Sequence, residues 1–199
     1  APWTLAAYFI EGKITKDLSI VKKFSYEYPV EMDNLIDLFT KLIIDHLKNQ
    51  IKSGVDIIQI FDTHAYQMDY YLHEKYSIQQ LQKISKEVRK ENKEIPICFY
   101  TKKDLIFKNN EIEKSINCLS FNSNIDMNIA KKHFSENLCF QGNLDPMLLV
   151  VGGDIMKKEV LKILANMQDR TFIFNLGHGI LPQTPERNVH ELINIIKSY

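Results

Sequence analysis

The sequence predicts an α/β fold built on parallel strands, and two observations carry that prediction. Short apolar runs rich in β-branched residues recur five times, separated by longer stretches of helical periodicity, which is the pattern of repeated βαβ units. These runs are nearly continuous in apolar residues, as strands are when helices cover the sheet.

The elements follow in order. Pro29–Ser53 reads as a long helix, because Leu35, Phe39, Leu42, Leu47 and Ile51 mark one apolar side and Gly54 is a stop signal. Val55–Phe61 is a strand that ends in Asp62-Thr63-His64. A helix over Asp69–Asn92 leads to the strand Ile95–Tyr100, which ends at Thr101-Lys102-Lys103. A helix within Leu105–Ser115 precedes the strand Asn117–Phe121. A helix over Ile125–Glu136 precedes the strand Leu138–Gln141, which ends in Gly142-Asn143-Leu144-Asp145-Pro146. A helix over Asp154–Met167 leads to the strand Thr171–Leu176, which runs into Gly177-His178-Gly179, and a helix over Arg187–Lys197 closes the chain.

Two architectures accommodate this order: an open doubly wound sheet and a (β/α)8 barrel. No glycine-rich phosphate fingerprint follows any strand, which argues against a nucleotide-binding open sheet. Polar groups gather after the strands, where a barrel keeps its active site. Five strands cannot close an eight-stranded barrel, so either the sheet is open or three βα units lie upstream. The chain opens at Ala1 in apolar sequence without Met, and we expect it to continue upstream.

Bulk properties narrow the function classes. The 199 residues suffice for a single domain spanning 1–199. Lys+Arg and Asp+Glu each number 25, so no excess of positive charge marks a nucleic-acid binder. No apolar stretch reaches the roughly 20 residues of a membrane span. The start shows no basic segment or cleavage site of a signal peptide, and we expect a soluble cytoplasmic protein. Cys98, Cys118 and Cys139 match no zinc or disulfide spacing and sit inside strand-like runs. There is no HExxH motif and no nucleophile elbow, so no metal site is expected.

The candidate site residues are polar groups at strand ends and at the chain start. His178 lies between two glycines that leave it uncovered, and an imidazole there either meets an acidic ligand or fixes the loop. The hydroxyl of Thr63 can donate to a carboxylate or cap a helix. Asp62 and His64 either fix the loop or form walls of a site, with side chains directed away from that of Thr63. Asn143 and Asp145 read as turn and cap residues. Tyr8, following Pro2-Trp3-Thr4, is by itself a core or rim aromatic.

Four stretches occurring in order carry a resemblance. They are Ala1-Pro2-Trp3-Thr4-Leu5-Ala6-Ala7-Tyr8, Gln59-Ile60-Phe61-Asp62-Thr63, Gln141-Gly142-Asn143-Leu144-Asp145-Pro146 and Asn175-Leu176-Gly177-His178-Gly179. Together they closely resemble the uroporphyrinogen decarboxylase family over essentially the whole chain. The resemblance implies a (β/α)8 TIM barrel, with this chain as an incomplete barrel of five parallel strands (strands four to eight) and their covering helices. It implies a homodimer and places Tyr8, Thr63 and His178 in the substrate cleft. The family's arginine-rich loop and catalytic aspartate would lie upstream, so no catalytic residue is expected within these positions. One departure stands out: the family's Gly-Leu-Asp-Trp is here Cys118-Leu119-Ser120-Phe121, a loss of an aspartate that is expected to bear on local packing or hydrogen bonding and not on the reaction.

The resemblance also implies a chemistry. The family removes the four acetate carboxylates of uroporphyrinogen III to give coproporphyrinogen III. A pyrrole protonated at the ring carbon beside the acetate arm accepts the electrons released as CO2 leaves, so the substrate is its own electron sink and no cofactor is expected. The protein must hold carboxylates with cations and donors and stabilise positive charge on the ring. Two other readings are a related barrel methyltransferase acting with a zinc-bound thiol, and a porphyrin-binding fragment without turnover.

Overall fold

The computed structural model describes residues 1–13, 17–103 and 110–199. They form two compact units, residues 1–117 and 118–199. Five strands lie between flanking helices, and the pairings within each unit are parallel.

The first unit begins with three helices: α1 (Pro2–Glu11), α2 (Ser19–Glu27) and α3 (Pro29–Lys52). Pro2 and Pro29 stand at helix starts, where a missing N–H costs nothing. In α1 the spacing of Trp3, Ala6 and Ala7 makes one buried stripe, while Leu5 and Phe9 remain exposed. That stripe packs with Val21, Met32, Ile36, Ala65, Leu72 and Tyr76 in the core of the unit.

Strand β1 (Ile58–Asp62) pairs with β2 (Ile97–Thr101) from Ile58 opposite Ile97 to Asp62 opposite Thr101. Every residue of β2 is buried, which explains its uninterrupted apolar sequence. Between the strands run a 3-10 turn (Ala65–Gln67), α4 (Tyr70–His73), a π-helical turn (Glu74–Ile78) and α5 (Gln79–Glu91). The helix expected over Asp69–Asn92 is therefore present but carries a π turn inside it. The helix expected within Leu105–Ser115 falls partly on 104–109, outside the described residues; α6 (Asn110–Glu113) lies within that range.

The second unit holds β3 (Cys118–Ser120), α7 (Met127–His133), β4 (Cys139–Leu144), α8 (Pro146–Val151), α9 (Gly153–Asn166), β5 (Phe172–Leu176) and α10 (Glu186–Ser198). Strand β4 pairs with β3, Cys118 facing Cys139, and with β5, Leu144 facing Leu176. Its core is built from Leu144, Leu149, Met156, Val160, Ile163, Leu192 and Ile195.

Three side chains replace regular pairing where the backbone turns. Arg170 donates to the carbonyls of Ser135 at 2.7 Å and Leu138 at 2.9 Å, with its guanidinium 4.0 Å from the centre of the Phe140 ring. Asn188, on α10, donates to the carbonyls of Leu149 and Val150 at 2.8 and 3.0 Å, satisfying acceptors that the end of α8 leaves open. Asp145 caps α8 by accepting from the Met147 N–H at 2.8 Å, the cap role expected from the sequence. Among the described residues, no helix is long and apolar enough to cross a membrane.

Candidate functional site

In the first unit, the turn after β1 is fastened to α1 by groups spaced to meet it. Asp62, the last residue of β1, is fully buried. Its Oδ1 accepts from the Thr4 hydroxyl at 2.9 Å, and its Oδ2 accepts from the Ser77 hydroxyl at 2.5 Å. The Trp3 indole donates to the His64 carbonyl at 3.1 Å, and the His64 N–H donates to the Thr4 oxygen at 3.3 Å. Asp62 is thus a fastening residue, which settles one of the alternatives open in the sequence.

This fastening sets the surroundings of Thr63 and Tyr8. The Tyr8 ring meets the His64 ring edge to face, with centroids 4.8 Å apart and planes at 72°. Tyr8 remains 46% exposed, and neither its hydroxyl nor that of half-buried Thr63 makes a hydrogen bond among the described residues. The helix-cap reading of Thr63 does not hold, since Asp69 caps α4. Tyr8 therefore lies against His64 just past the carboxyl end of β1, and Thr63 is the residue that joins β1 to His64.

His64 itself is buried, and its Nδ1 has no hydrogen-bond partner. Burial, and then the charge of Lys102, hold its pKa below the ordinary histidine value, against the opposing pull of Asp62. The unfolded chain therefore takes up this proton at higher pH than the folded one. Stability present above about pH 6.5 is lost as pH falls below it. We expect the unfolding free energy to fall between pH 7.5 and 5.5, and His64→Phe, which keeps the ring contact with Tyr8, to flatten that fall. Urea titrations at the two pH values check this; equal slopes in both proteins would refute the assignment.

Two lysines follow β2. Lys103 donates to the Met68 carbonyl at 2.5 Å. Lys102 is half-buried, with its ammonium 5.8 Å from the centre of the Tyr66 ring, and burial lowers its pKa.

In the second unit, His178 lies in the bend after β5 and is exposed. Its two neighbouring glycines have different work. Gly177 is buried, and a Cβ there would stand 2.3 Å from the Ser123 backbone nitrogen. Gly179 faces open space and leaves His178 uncovered. Strand β4 ends beside this bend. Gly142, at a φ of 136°, admits the Phe121 carbonyl, which would lie 2.9 Å from a Cβ. The Asn143 amide donates to the carbonyls of Asn122 and Ile125 at 2.9 and 2.8 Å, the structural role its turn-like setting predicted. Ser120, in the stretch that departs from the resembled pattern, accepts from the Gln141 amide at 3.0 Å, so this position makes a side-chain hydrogen bond to the neighbouring strand. A cavity of about 340 Å³ within this unit is lined by Ser123, Asp126, Asn143, Asp145 and Lys162, among others, and includes none of the three expected substrate-binding residues.

Among the described residues, no cluster of three or more His, Cys, Asp or Glu side chains could hold a metal. The Cys139 thiol is pushed well above the ordinary range, first by its hydrogen bond with Cys118 and then by burial, and so stays protonated. A protonated thiol is a poor zinc ligand.

Parallel strands followed by helices, with donors collected at a strand's carboxyl end, define a protein of the α/β class consistent with part of a TIM barrel. The chain belongs to the uroporphyrinogen decarboxylase family: the family model described as Uroporphyrinogen decarboxylase (URO-D) matches residues 1–199. It is 38% identical over 200 residues to a uroporphyrinogen decarboxylase of Rickettsia bellii (strain RML369-C), covering 100% of this chain and 58% of that protein. It is 35% identical to the enzyme of the same name from Rickettsia felis (strain URRWXCal2), with the same coverage. The Rickettsia akari (strain Hartford) protein is 35% identical over 199 residues, covering 100% of this chain and 59% of that relative. The chain thus spans somewhat under two thirds of the length of these curated relatives.

Proposed function

We propose that this chain supplies the C-terminal portion of a uroporphyrinogen decarboxylase, a carboxy-lyase that removes the acetate carboxylates of uroporphyrinogen III. In this reading both units belong to one barrel domain, the enzyme works without a cofactor, and it acts as a cytoplasmic homodimer. The observation that carries the reading is the turn after β1, which Asp62 fastens and where the Tyr8 ring meets His64, with the Thr63 hydroxyl the next donor in the chain. A substrate with many carboxylates needs donors of this kind, fixed before it arrives.

The roles are as follows. Thr63 donates to one substrate carboxylate. His178, partly protonated once an anion is bound, pairs with another. Tyr8 donates to the substrate or to the aspartate expected upstream. The arginines and the aspartate that complete the chemistry belong to preceding sequence, so the 199 residues alone are expected to give no turnover.

The test is CO2 release from uroporphyrinogen by the protein expressed with whatever coding sequence precedes residue 1. In that protein, Thr63→Ala and His178→Asn each lower kcat/KM by roughly 10- to 100-fold, the loss expected for a hydrogen bond to a charged group. A well-folded wild-type protein that releases no CO2 would overturn the reading, and wild-type kinetics in His178→Asn would overturn that residue's role.

A further inference from the structure

We infer that the cavity in the second unit binds a small organic cation, an ammonium on a short apolar stem, through Asn143, Asp126 and Asp145. The inference goes beyond the decarboxylase reading and uses none of the residues assigned to substrate there.

The first observation is a buried acceptor with nothing to accept. Asn143 is only 9% exposed, and it lines the cavity. Its amide nitrogen donates to the carbonyls of Asn122 and Ile125 at 2.9 and 2.8 Å, which fixes the orientation of the amide. Its Oδ1 accepts from no group among the described residues. A buried polar atom left without a partner costs about 1–3 kcal/mol, and a ligand N–H would offset that cost.

The second observation is the balance of charge. The carboxylates of Asp126, Asp145 and Glu159 line the cavity together with the ammonium of Lys162. Lys162 is matched by Glu159, whose two oxygens lie 3.0 and 3.3 Å from its Nζ. Asp126 and Asp145 stand in no ion pair among the described residues. Each uses Oδ1 as a helix cap, accepting at 2.8 Å from the N–H of Asn128 or of Met147, and keeps its other oxygen for a ligand. The starts of α7 and α8 are thus already met by protein carboxylates, so an anion is not what this cavity lacks.

The third is chemical fit. An ammonium carries three donors, and Asn143 and the two aspartates offer three acceptors. Leu144, Leu148, Ile163 and Met167 add apolar lining for a stem within the 340 Å³. The cavity also reaches the bend after β5. Ser123 lines it, and the Ser123 backbone nitrogen would stand 2.3 Å from a Cβ on Gly177. With so little slack between the two, an occupant that steadies the Ser123 turn steadies the bend as well.

The test uses the protein expressed with its preceding sequence, whether or not it releases CO2, and three probes that share one stem: pentylammonium, pentanol and pentanoate. Calorimetric titration is expected to show saturable binding of pentylammonium, pentanol at least about tenfold weaker, and no binding of pentanoate. Asp126→Asn and Asp145→Asn keep the helix caps, since Asn caps as well as Asp. Each is expected to weaken pentylammonium about tenfold, the size of one hydrogen bond to a charged group. Hydrogen exchange at residues 177–181 is expected to slow when pentylammonium is added. No saturable binding of pentylammonium overturns the inference, as does unchanged affinity in both variants. Pentanol binding as tightly would show an apolar cavity without charge recognition, and tighter binding of pentanoate would reverse the sign; either result sinks the proposal. Exchange at the bend that ignores saturating pentylammonium would refute the link to β5.

Discussion

Gly177→Ala is expected to destabilise the protein by about 3 kcal/mol, the upper part of the usual range for overpacking. The added Cβ would stand 2.3 Å from the Ser123 nitrogen and 2.8 Å from its Cα, and both are backbone atoms that cannot swing aside. Either the bend after β5 or the turn after β3 must move. Gly179→Ala is the internal control: with no atom within 4 Å of its Cβ, it is expected to change stability by less than about 0.5 kcal/mol. Urea unfolding of the two variants checks the contrast. Similar losses in both, or none at position 177, would show that the close approach to Ser123 does not constrain the fold. Given the role proposed for His178, the next residue, Gly177→Ala is also expected to weaken substrate binding at temperatures where it remains folded.

Asp62→Ala is the second large effect, with an expected loss of about 3 kcal/mol. The carboxylate is fully buried and accepts two hydroxyls from separate elements, Thr4 of α1 and Ser77 of the π turn. Hydrogen bonds to charged groups contribute about 1.5–3 kcal/mol each, and removing the acceptor takes from the two buried hydroxyls the group to which they donate. Asp62→Asn keeps the shape and one acceptor oxygen but turns an amide donor towards a hydroxyl, so an intermediate loss is expected. Hydrogen exchange adds a reading that global stability does not give. The α1 amides should lose protection more than those of α5, since α1 is the element the carboxylate holds to β1. Uniform loss of protection would argue against that local role.

The strands were legible in the sequence as unbroken apolar runs, which burial on both faces explains for β2, whereas β5 is apolar although its residues alternate between half-buried and exposed. Ile97–Thr101 and Phe172–Leu176 lie within about two residues of their expected bounds. Strand β4 was read as ending at Gln141, since Gly142 and Asn143 favour turns. It runs on to Leu144 because that glycine admits the Phe121 carbonyl and that amide bonds two carbonyls across the turn. Helix α1 was not anticipated. Its ten residues contain Pro, Trp and Thr, and its buried stripe is small, so periodicity is faint until α2 and α3 pack on it.

The site was legible in part. The residues flanking His64 could be named from motif resemblance, but the fastening of Asp62 to Thr4 and Ser77 joins positions 58 and 15 residues apart in the chain. No local pattern encodes such a meeting. The glycines around His178 looked equivalent in sequence, and only the approach of Ser123 separates a packing glycine from one that leaves the imidazole open.

The π turn over Glu74–Ile78 has a consequence for residue deletion. A wide turn holds one residue more than the α-helix around it. Each residue advances a helix by about 100°, so the extra one swings one side of the rod relative to the other. Ser77 sits inside that swing, directed at the Asp62 carboxylate. Removing one residue here would rotate this hydroxyl away and leave the same acid in need of a different donor.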